Sequence, residues 1–221
     1  SSNDKTFVVS FDGNGGTLVA GKSNQEVKNA TEIVAPSFEK RGYNFDSWDI
    51  PLETLTESTK VKAEWKIATY TINYHLDGGK NAPSNPNKYN LLSNNIFLKD
   101  ATKEGYTFNY WTDAYDNKIT TIYPADAKNI DLYAHFNVIG YSISYELNGG
   151  EFLGAAPRSY NIENETTVPD AKKEGYTFLG WYNKGTKIES ITPGMYGDLY
   201  LIAHWTGSDI KVELDTDSSA G

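Results

Sequence analysis

Hydrophobic and polar residues alternate strictly at three places along the chain. Phe7, Val9 and Phe11 form one run, Tyr70, Ile72, Tyr74 and Leu76 a second, and Tyr141, Ile143, Tyr145 and Leu147 a third. Successive side chains of a strand point to opposite faces, so a period of two built from aromatic and β-branched residues predicts a half-buried strand. Each run leads into a glycine-rich segment: Asp12-Gly13-Asn14-Gly15-Gly16, Asp77-Gly78-Gly79 or Asn148-Gly149-Gly150. These residues tolerate positive φ, as tight turns demand, and predict that each opening strand folds back into a hairpin. A second set of alternating runs, Val61/Ala63/Trp65, Leu132/Ala134/Phe136 and Leu201/Ala203/Trp205, predicts closing strands with their large rings buried. Between them, Pro36, Pro83, Pro86, Pro157 and Pro169 punctuate the chain, and no long amphipathic helix pattern occurs. At most one short helix or helical turn per copy is expected.

These runs are landmarks of a threefold internal repeat. Between the opening and closing runs lies the pattern G-Y-x-F-x-x-W, at Gly42–Trp48, Gly105–Trp111 and Gly175–Trp181. The landmarks keep one order, placing copies at about residues 5–67, 68–138 and 139–206. Their spacing exceeds the roughly 20 to 50 residue periods of solenoids and propeller blades, so each copy reads as a tiny domain. A domain that small is close to the size at which burial barely offsets chain entropy. The density of aromatic rings is the expected compensation, since each buried ring covers roughly 150 to 250 Å².

The alternating aromatic strand, the D/N-G-G turn, G-Y-T-F-x-G-W and L-x-A-H-W together resemble the Listeria–Bacteroides repeat, the internalin B B-repeat family. The resemblance covers about residues 5–206 and is fullest in the third copy, at Tyr145–Gly150, Gly175–Tyr182 and Leu201–Trp205. The first copy departs at Asp46-Ser47-Trp48-Asp49 and at Glu64, and the second at Tyr110 and Phe136. What the resemblance implies is a mainly β (α+β) chain of three tandem ubiquitin-like β-grasp modules in an elongated array. It also implies an extracellular setting in a secreted or wall-attached bacterial protein, between an adhesive domain and an anchor, with no catalytic residues.

Composition narrows the partners. With 20 basic against 29 acidic residues the net charge is −9, which disfavours nucleic acid and anionic membrane surfaces. Cysteine is absent, so there is neither a disulfide framework nor thiolate metal ligation. No apolar run approaches the roughly 18 residues of a membrane span, and Ser1-Ser2-Asn3-Asp4-Lys5 lacks the character of a signal peptide.

His75, His135 and His204 suggest metal ligation, but His135 and His204 occupy equivalent positions in separate copies, so a solvated strand face is the expectation. The acidic turn at Asp12 lacks the glutamate that completes a calcium loop. Acid pairs Asp113/Asp116 and Glu163/Glu165 fall in loop-like stretches, where surface solvation is the simpler reading. An isopeptide bond would need a buried Lys, Asn and acid, and no such triad recurs. No G-x-S-x-G, P-loop, dinucleotide fingerprint or H-E-x-x-H motif is present. No catalytic, cofactor-binding or metal-ligating residue is therefore assigned, and no cofactor is expected.

Tyr89, Tyr115, Tyr123, Tyr160 and Tyr196 lie outside the repeat landmarks and are candidates for a host-protein or glycan surface, with core packing as the default. The joins Lys66-Ile67-Ala68-Thr69 and Asn137-Val138-Ile139-Gly140 lack the Gly/Ser character of flexible linkers. The expectation is a monomeric, non-enzymatic, semi-rigid spacer. The acidic tail from Gly207 contains an alternating run, Ile210–Leu214, expected to be a strand or the start of a following domain.

Overall fold

The computed structural model describes residues 5–207. Among these the chain is mainly β-strand in several small sheets, with single 3-10 turns at Ala30–Glu32, Leu52–Thr54 and Pro124–Asp126 and no α-helix. The alternating run of the tail lies outside the described residues.

Every repeat is organised around its first and last strands. The opening strands are Phe7–Asp12, Tyr70–His75 and Tyr141–Glu146, and the closing strands Thr59–Ile67, Ile130–Val138 and Leu199–Thr206. The two run parallel in one register, with Phe11 opposite Val61, Tyr74 opposite Leu132 and Tyr145 opposite Leu201. Parallel neighbours cannot be joined by a tight turn, so the rest of each repeat forms the crossover between them. The opening strand's other edge takes a short antiparallel strand: Asn24–Val27, Lys88–Tyr89 or Ser159–Tyr160. The closing strand also neighbours the motif strand in each repeat, Tyr43–Trp48, Tyr106–Thr112 or Thr177–Asn183, antiparallel in the first and third. A hairpin strand extends the motif strand at Lys118–Ile119 in the second repeat and Thr186–Ile188 in the third.

This arrangement corrects the expected hairpin across the glycine turn. The opening strand is central and both of its edges are taken, so the chain leaving the turn must pair elsewhere. Thr17–Ala20 pairs with Ser37–Glu39, Lys80 bridges to Thr102, and Glu151–Phe152 pairs with Ala171–Lys172. The turn itself has the expected geometry: Asn14, Asp77 and Asn148 have φ near +50°, and the glycines that follow have φ of +92°, +83° and +87°. Two successive positive φ values make a type I′ turn.

The motif strand contains an irregularity that explains its spacing. Residues three apart on a regular strand point to opposite faces, yet Phe45 and Trp48 lie in ring contact at 4.9 Å and Phe178 and Trp181 at 5.3 Å. A β-bulge between Phe45 and Ser47, and between Phe178 and Gly180, shifts the register by one and puts both rings within reach. The tryptophan then meets the opening strand's ring edge-on: Phe11–Trp48 at 4.8 Å, Tyr74–Trp111 at 5.4 Å and Tyr145–Trp181 at 5.4 Å. Trp111 and Trp181 are buried at 3% and 4% exposure, while Trp48 is half-buried. The closing-strand rings Trp65, Phe136 and Trp205, expected to be buried, are half-buried. They lie across the glycine turn, and a Cβ at Gly16 or Gly79 would stand 2.5 or 2.7 Å from the ring above it.

By contact the chain divides into two compact units. Among the described residues, one joins 5–75 with Ala82–Lys99 and Trp111–Tyr133, and the other joins Leu76–Asn81 and Asp100–Tyr110 with 134–207. Within the first unit Val9, Phe11, Val27, Leu55 and Val61 form the first repeat's core. Within the second, Ile143, Tyr160, Trp181, Ile191 and Leu201 are at the centre of the third repeat's core.

Replacing a large buried ring by a methyl group typically costs about 3–5 kcal/mol, so Trp181→Ala is expected to destabilise the third repeat by that amount in urea denaturation followed by circular dichroism. Tyr176→Ala, on a ring that is 40% exposed, is expected to cost about 1 kcal/mol or less. Equal losses from the two would contradict the placement of the core.

Candidate functional site

The most distinctive side-chain arrangement is a corner built the same way in every repeat. A lysine two residues before the motif glycine opens a turn closed by the tyrosine N–H on the lysine carbonyl, for Lys40/Tyr43, Lys103/Tyr106 and Lys173/Tyr176, each at 3.0 Å. The glycine between them, Gly42, Gly105 or Gly175, has φ of +82° to +83°, which a side chain would oppose. The turn folds the lysine back over its own tyrosine, with the ammonium 4.4, 4.3 and 4.2 Å from the ring centroid. The closing ring stands beside it, at 5.5 Å for Phe136 and 5.8 Å for Trp205. The ammonium also reaches the glycine turn: Lys173 donates to the Asn148 carbonyl at 2.9 Å, and Lys103 pairs with Asp77 at 3.5 Å. The Trp65 and Trp205 indole N–H groups donate to the carbonyls of Gly13 and Leu147, locking the ring onto the same turn.

Beside the corner runs a shallow groove. It is about 860 Å³ in the second repeat, bordered by Lys80, Asp100, Lys103 and Tyr106. In the third it is about 530 Å³, bordered by Glu151, Lys173, Tyr176 and Trp205. These walls offer aromatic faces with fixed cations and carboxylates, which suit the reception of a side chain. Sequence reasoning singled out the glycine and tyrosine but not the lysine; the recurrence of Lys at the same offset, Lys40, Lys103 and Lys173, was the available signal.

The sequence-level candidates do not converge on one place. His75, His135 and His204 each stack on a tyrosine: His75 on Tyr133 at 4.2 Å, His135 on Tyr110 at 5.0 Å and His204 on Tyr182 at 3.8 Å. The third repeat takes its stacking ring from the residue after the motif tryptophan and the second from the residue before it. Among the described residues no three His, Asp or Glu side chains gather as a metal ion requires. The Asp12 carboxylate accepts the Asn14 N–H at 2.8 Å, which holds its pKa below the ordinary carboxylate value. Asp113 likewise accepts N–H groups of Asn117 and Tyr115, which lowers its pKa. These carboxylates organise turns. Glu163 accepts the Tyr106 hydroxyl at 2.7 Å.

The candidate tyrosines separate into two kinds. Tyr89 and Tyr160 are buried and donate to the carbonyls of Lys128 and Gly197. Tyr115, at 86% exposure, sits on the turn held by Asp113, and Tyr123 and Tyr196 are also exposed. Burial raises the phenol pKa of Tyr89 and Tyr160 and pushes those of two landmark rings, Tyr74 and Tyr145, up to about 12. Their hydroxyls donate to the carbonyls of Pro86 and Pro157, at 2.7 and 2.5 Å.

A family model for the Listeria-Bacteroides repeat domain matches residues 7–66, 70–135 and 141–204. The chain belongs to this repeat family. The chain is also similar to longer proteins. A protein of Evansella cellulosilytica provisionally named a membrane protein is 28% identical over 95% of this chain and 33% of its own length. A second from that organism, provisionally named a Gly-rich membrane protein, is 25% identical over 99% of this chain and 28% of its own. Internalin H of Listeria monocytogenes is 31% identical over 63% of this chain and 26% of its own. The chain thus spans about a third or less of the length of these relatives. No helix among its described residues is long and apolar enough to cross a membrane.

A phenol that is harder to ionise when folded contributes stability that is present below the unfolded pKa of 10.0 and is lost as pH rises through about 12. In an ultraviolet difference titration Tyr74 and Tyr145 are expected to ionise last, together with loss of the fold. Tyr145→Phe is expected to remove one late proton and, through the lost hydrogen bond, about 1 kcal/mol of stability. Uniform ionisation of all tyrosines near the ordinary value would contradict this.

Proposed function

We propose that this segment is a non-enzymatic, monomeric, semi-rigid spacer in an extracellular, cell-surface or secreted bacterial protein, built from β-grasp-type repeats and projecting an adhesive domain. The β-grasp reading draws support from the parallel pairing of first and last strands at the centre of each repeat. The observation that carries the spacer reading is the recurrence of one construction at both joins. Ala68 N–H donates to the Gly42 carbonyl and Ile139 N–H to the Gly105 carbonyl, each at 2.9 Å. Ala68 is buried. Residues that follow a closing strand are thereby tied back to the preceding motif turn, which removes the freedom a linker would otherwise have. Relatives that are longer and named as membrane proteins or an internalin fit a surface setting.

A second reading, binding of a host protein or glycan, rests on Tyr115, whose ring stands almost wholly in solvent on a turn fixed by the Asp113 carboxylate. A rigid turn presenting one aromatic ring is a plain recognition element.

Three domains of this size set end to end reach on the order of 80 Å, whereas one compact globule of the same length has a radius of gyration near roughly 17 Å. Small-angle scattering is expected to give the first dimension and to keep it as salt is raised. The compact value would overturn the spacer reading, and saturable binding of a glycan or host protein lost on Tyr115→Ala would favour the second.

A further inference from the structure

The two joins share a side-chain contact as well as a backbone bond. A Cβ placed on Gly42 would lie 2.8 Å from Leu91 Cδ2, and one placed on Gly105 would lie 2.6 Å from Ile162 Cδ1. In both cases the bare glycine of one repeat's Lys-x-Gly-Tyr turn receives an aliphatic side chain from the next repeat. That side chain stands two residues beyond the short outer strand, after Tyr89-Asn90 and after Tyr160-Asn161. The turn that presents it is stiffened identically, Asn90 Oδ1 accepting the Leu92 N–H and Asn161 Oδ1 the Glu163 N–H, each at 2.9 Å. Polar contacts flank the seat: Arg41 donates to the Ala125 carbonyl at 3.2 Å, and Tyr106 to Glu163 at 2.7 Å.

The third repeat carries the receiving half of this contact. Its turn has the same closing bond, the same glycine φ and the same lysine over tyrosine. Tyr176 is exposed, while Tyr43 and Tyr106 are half-buried. In sequence, Ile210 follows Trp205 by the same five residues that separate Tyr70 from Trp65 and Tyr141 from Phe136, and it opens the alternation Ile210/Val212/Leu214.

We propose that the Lys173–Tyr176 corner is a docking surface for one further copy of this module, seated by an aliphatic side chain at the position of Leu91 and Ile162. The residue at that position decides which copies dock. In the first repeat Val27 pairs with Phe7 as Tyr89 does with Tyr70 and Tyr160 with Tyr141. Asn29 there accepts the Thr31 N–H at 3.0 Å, as Asn90 and Asn161 accept theirs, so the small Ala30 follows the cap where Leu91 and Ile162 follow theirs.

The test keeps residues 1–205 and joins a copy of residues 137–206 directly after Trp205. One version keeps isoleucine at the added copy's equivalent of Ile162, a second has leucine there and a third asparagine. Circular dichroism establishes that all three added copies fold. Burying one aliphatic side chain corresponds to roughly a tenfold or larger change in a local opening equilibrium. Hydrogen exchange at the Gly175 and Tyr176 amides is therefore expected to be slower by about that factor with isoleucine or leucine than with asparagine. Within the original chain, Ile162→Asn is expected to speed exchange of the Ile139 amide by a similar factor. Equal exchange in the three appended versions, or an Ile139 amide indifferent to Ile162→Asn, would overturn the proposal.

Discussion

The edge-to-face contact between the opening strand's ring and the motif tryptophan is the interaction on which each repeat depends. It recurs as Phe11–Trp48, Tyr74–Trp111 and Tyr145–Trp181, at centroid separations of 4.8 to 5.4 Å. Its geometry follows from two prior conditions. The parallel register sets Phe11, Tyr74 and Tyr145 opposite Val61, Leu132 and Leu201, all three fully buried. In the first and third repeats a β-bulge then brings the tryptophan into contact with the phenylalanine three residues before it. At about 25 cal/mol per Å², rings of this size supply several kcal/mol per repeat.

The strands were legible in the sequence because alternation is a direct consequence of strand geometry, and the type I′ turns because Asn-Gly-Gly and Asp-Gly-Gly fit little else. Partner choice was less legible. The turn after Phe11 favours a hairpin by local chemistry, and only the knowledge that Thr59–Ile67 occupies one edge of the opening strand and Asn24–Val27 the other rules it out. The bulge was encoded in the odd spacing from Phe to Trp, which a strict period of two disallows. The motif rings are also less uniformly interior than their conservation of type suggests: Phe45 is 43% exposed, while Trp181 is buried. The first repeat lacks both the hairpin strand that extends the later motif strands and the histidine stack, in keeping with Asp46-Ser47-Trp48-Asp49 and Glu64 at those places.

The candidate chemistry of the polar residues dissolved into structural roles for a common reason. Asp12 and Asp113 accept backbone N–H groups of their own turns, and the histidines lie flat on tyrosines of neighbouring strands. Residues of this kind recur because the turn or stack recurs. The lysine of the Lys-x-Gly-Tyr turn is legible only as a recurrence at one offset, because a cation held over a ring leaves no alternation along the strand. That turn links a repeat to its neighbour, since the carbonyl of its glycine accepts the first N–H after the closing strand, from Ala68 or Ile139.

A double-mutant cycle on Tyr145 and Trp181, with leucine at each position and unfolding followed calorimetrically, measures the central contact most directly. A coupling energy of about 0.5–1.5 kcal/mol beyond the summed single losses is predicted, as for other aromatic pairs in this geometry. Additive losses would mean that the two rings stabilise the repeat independently, and the edge-to-face contact would then not be what holds its core.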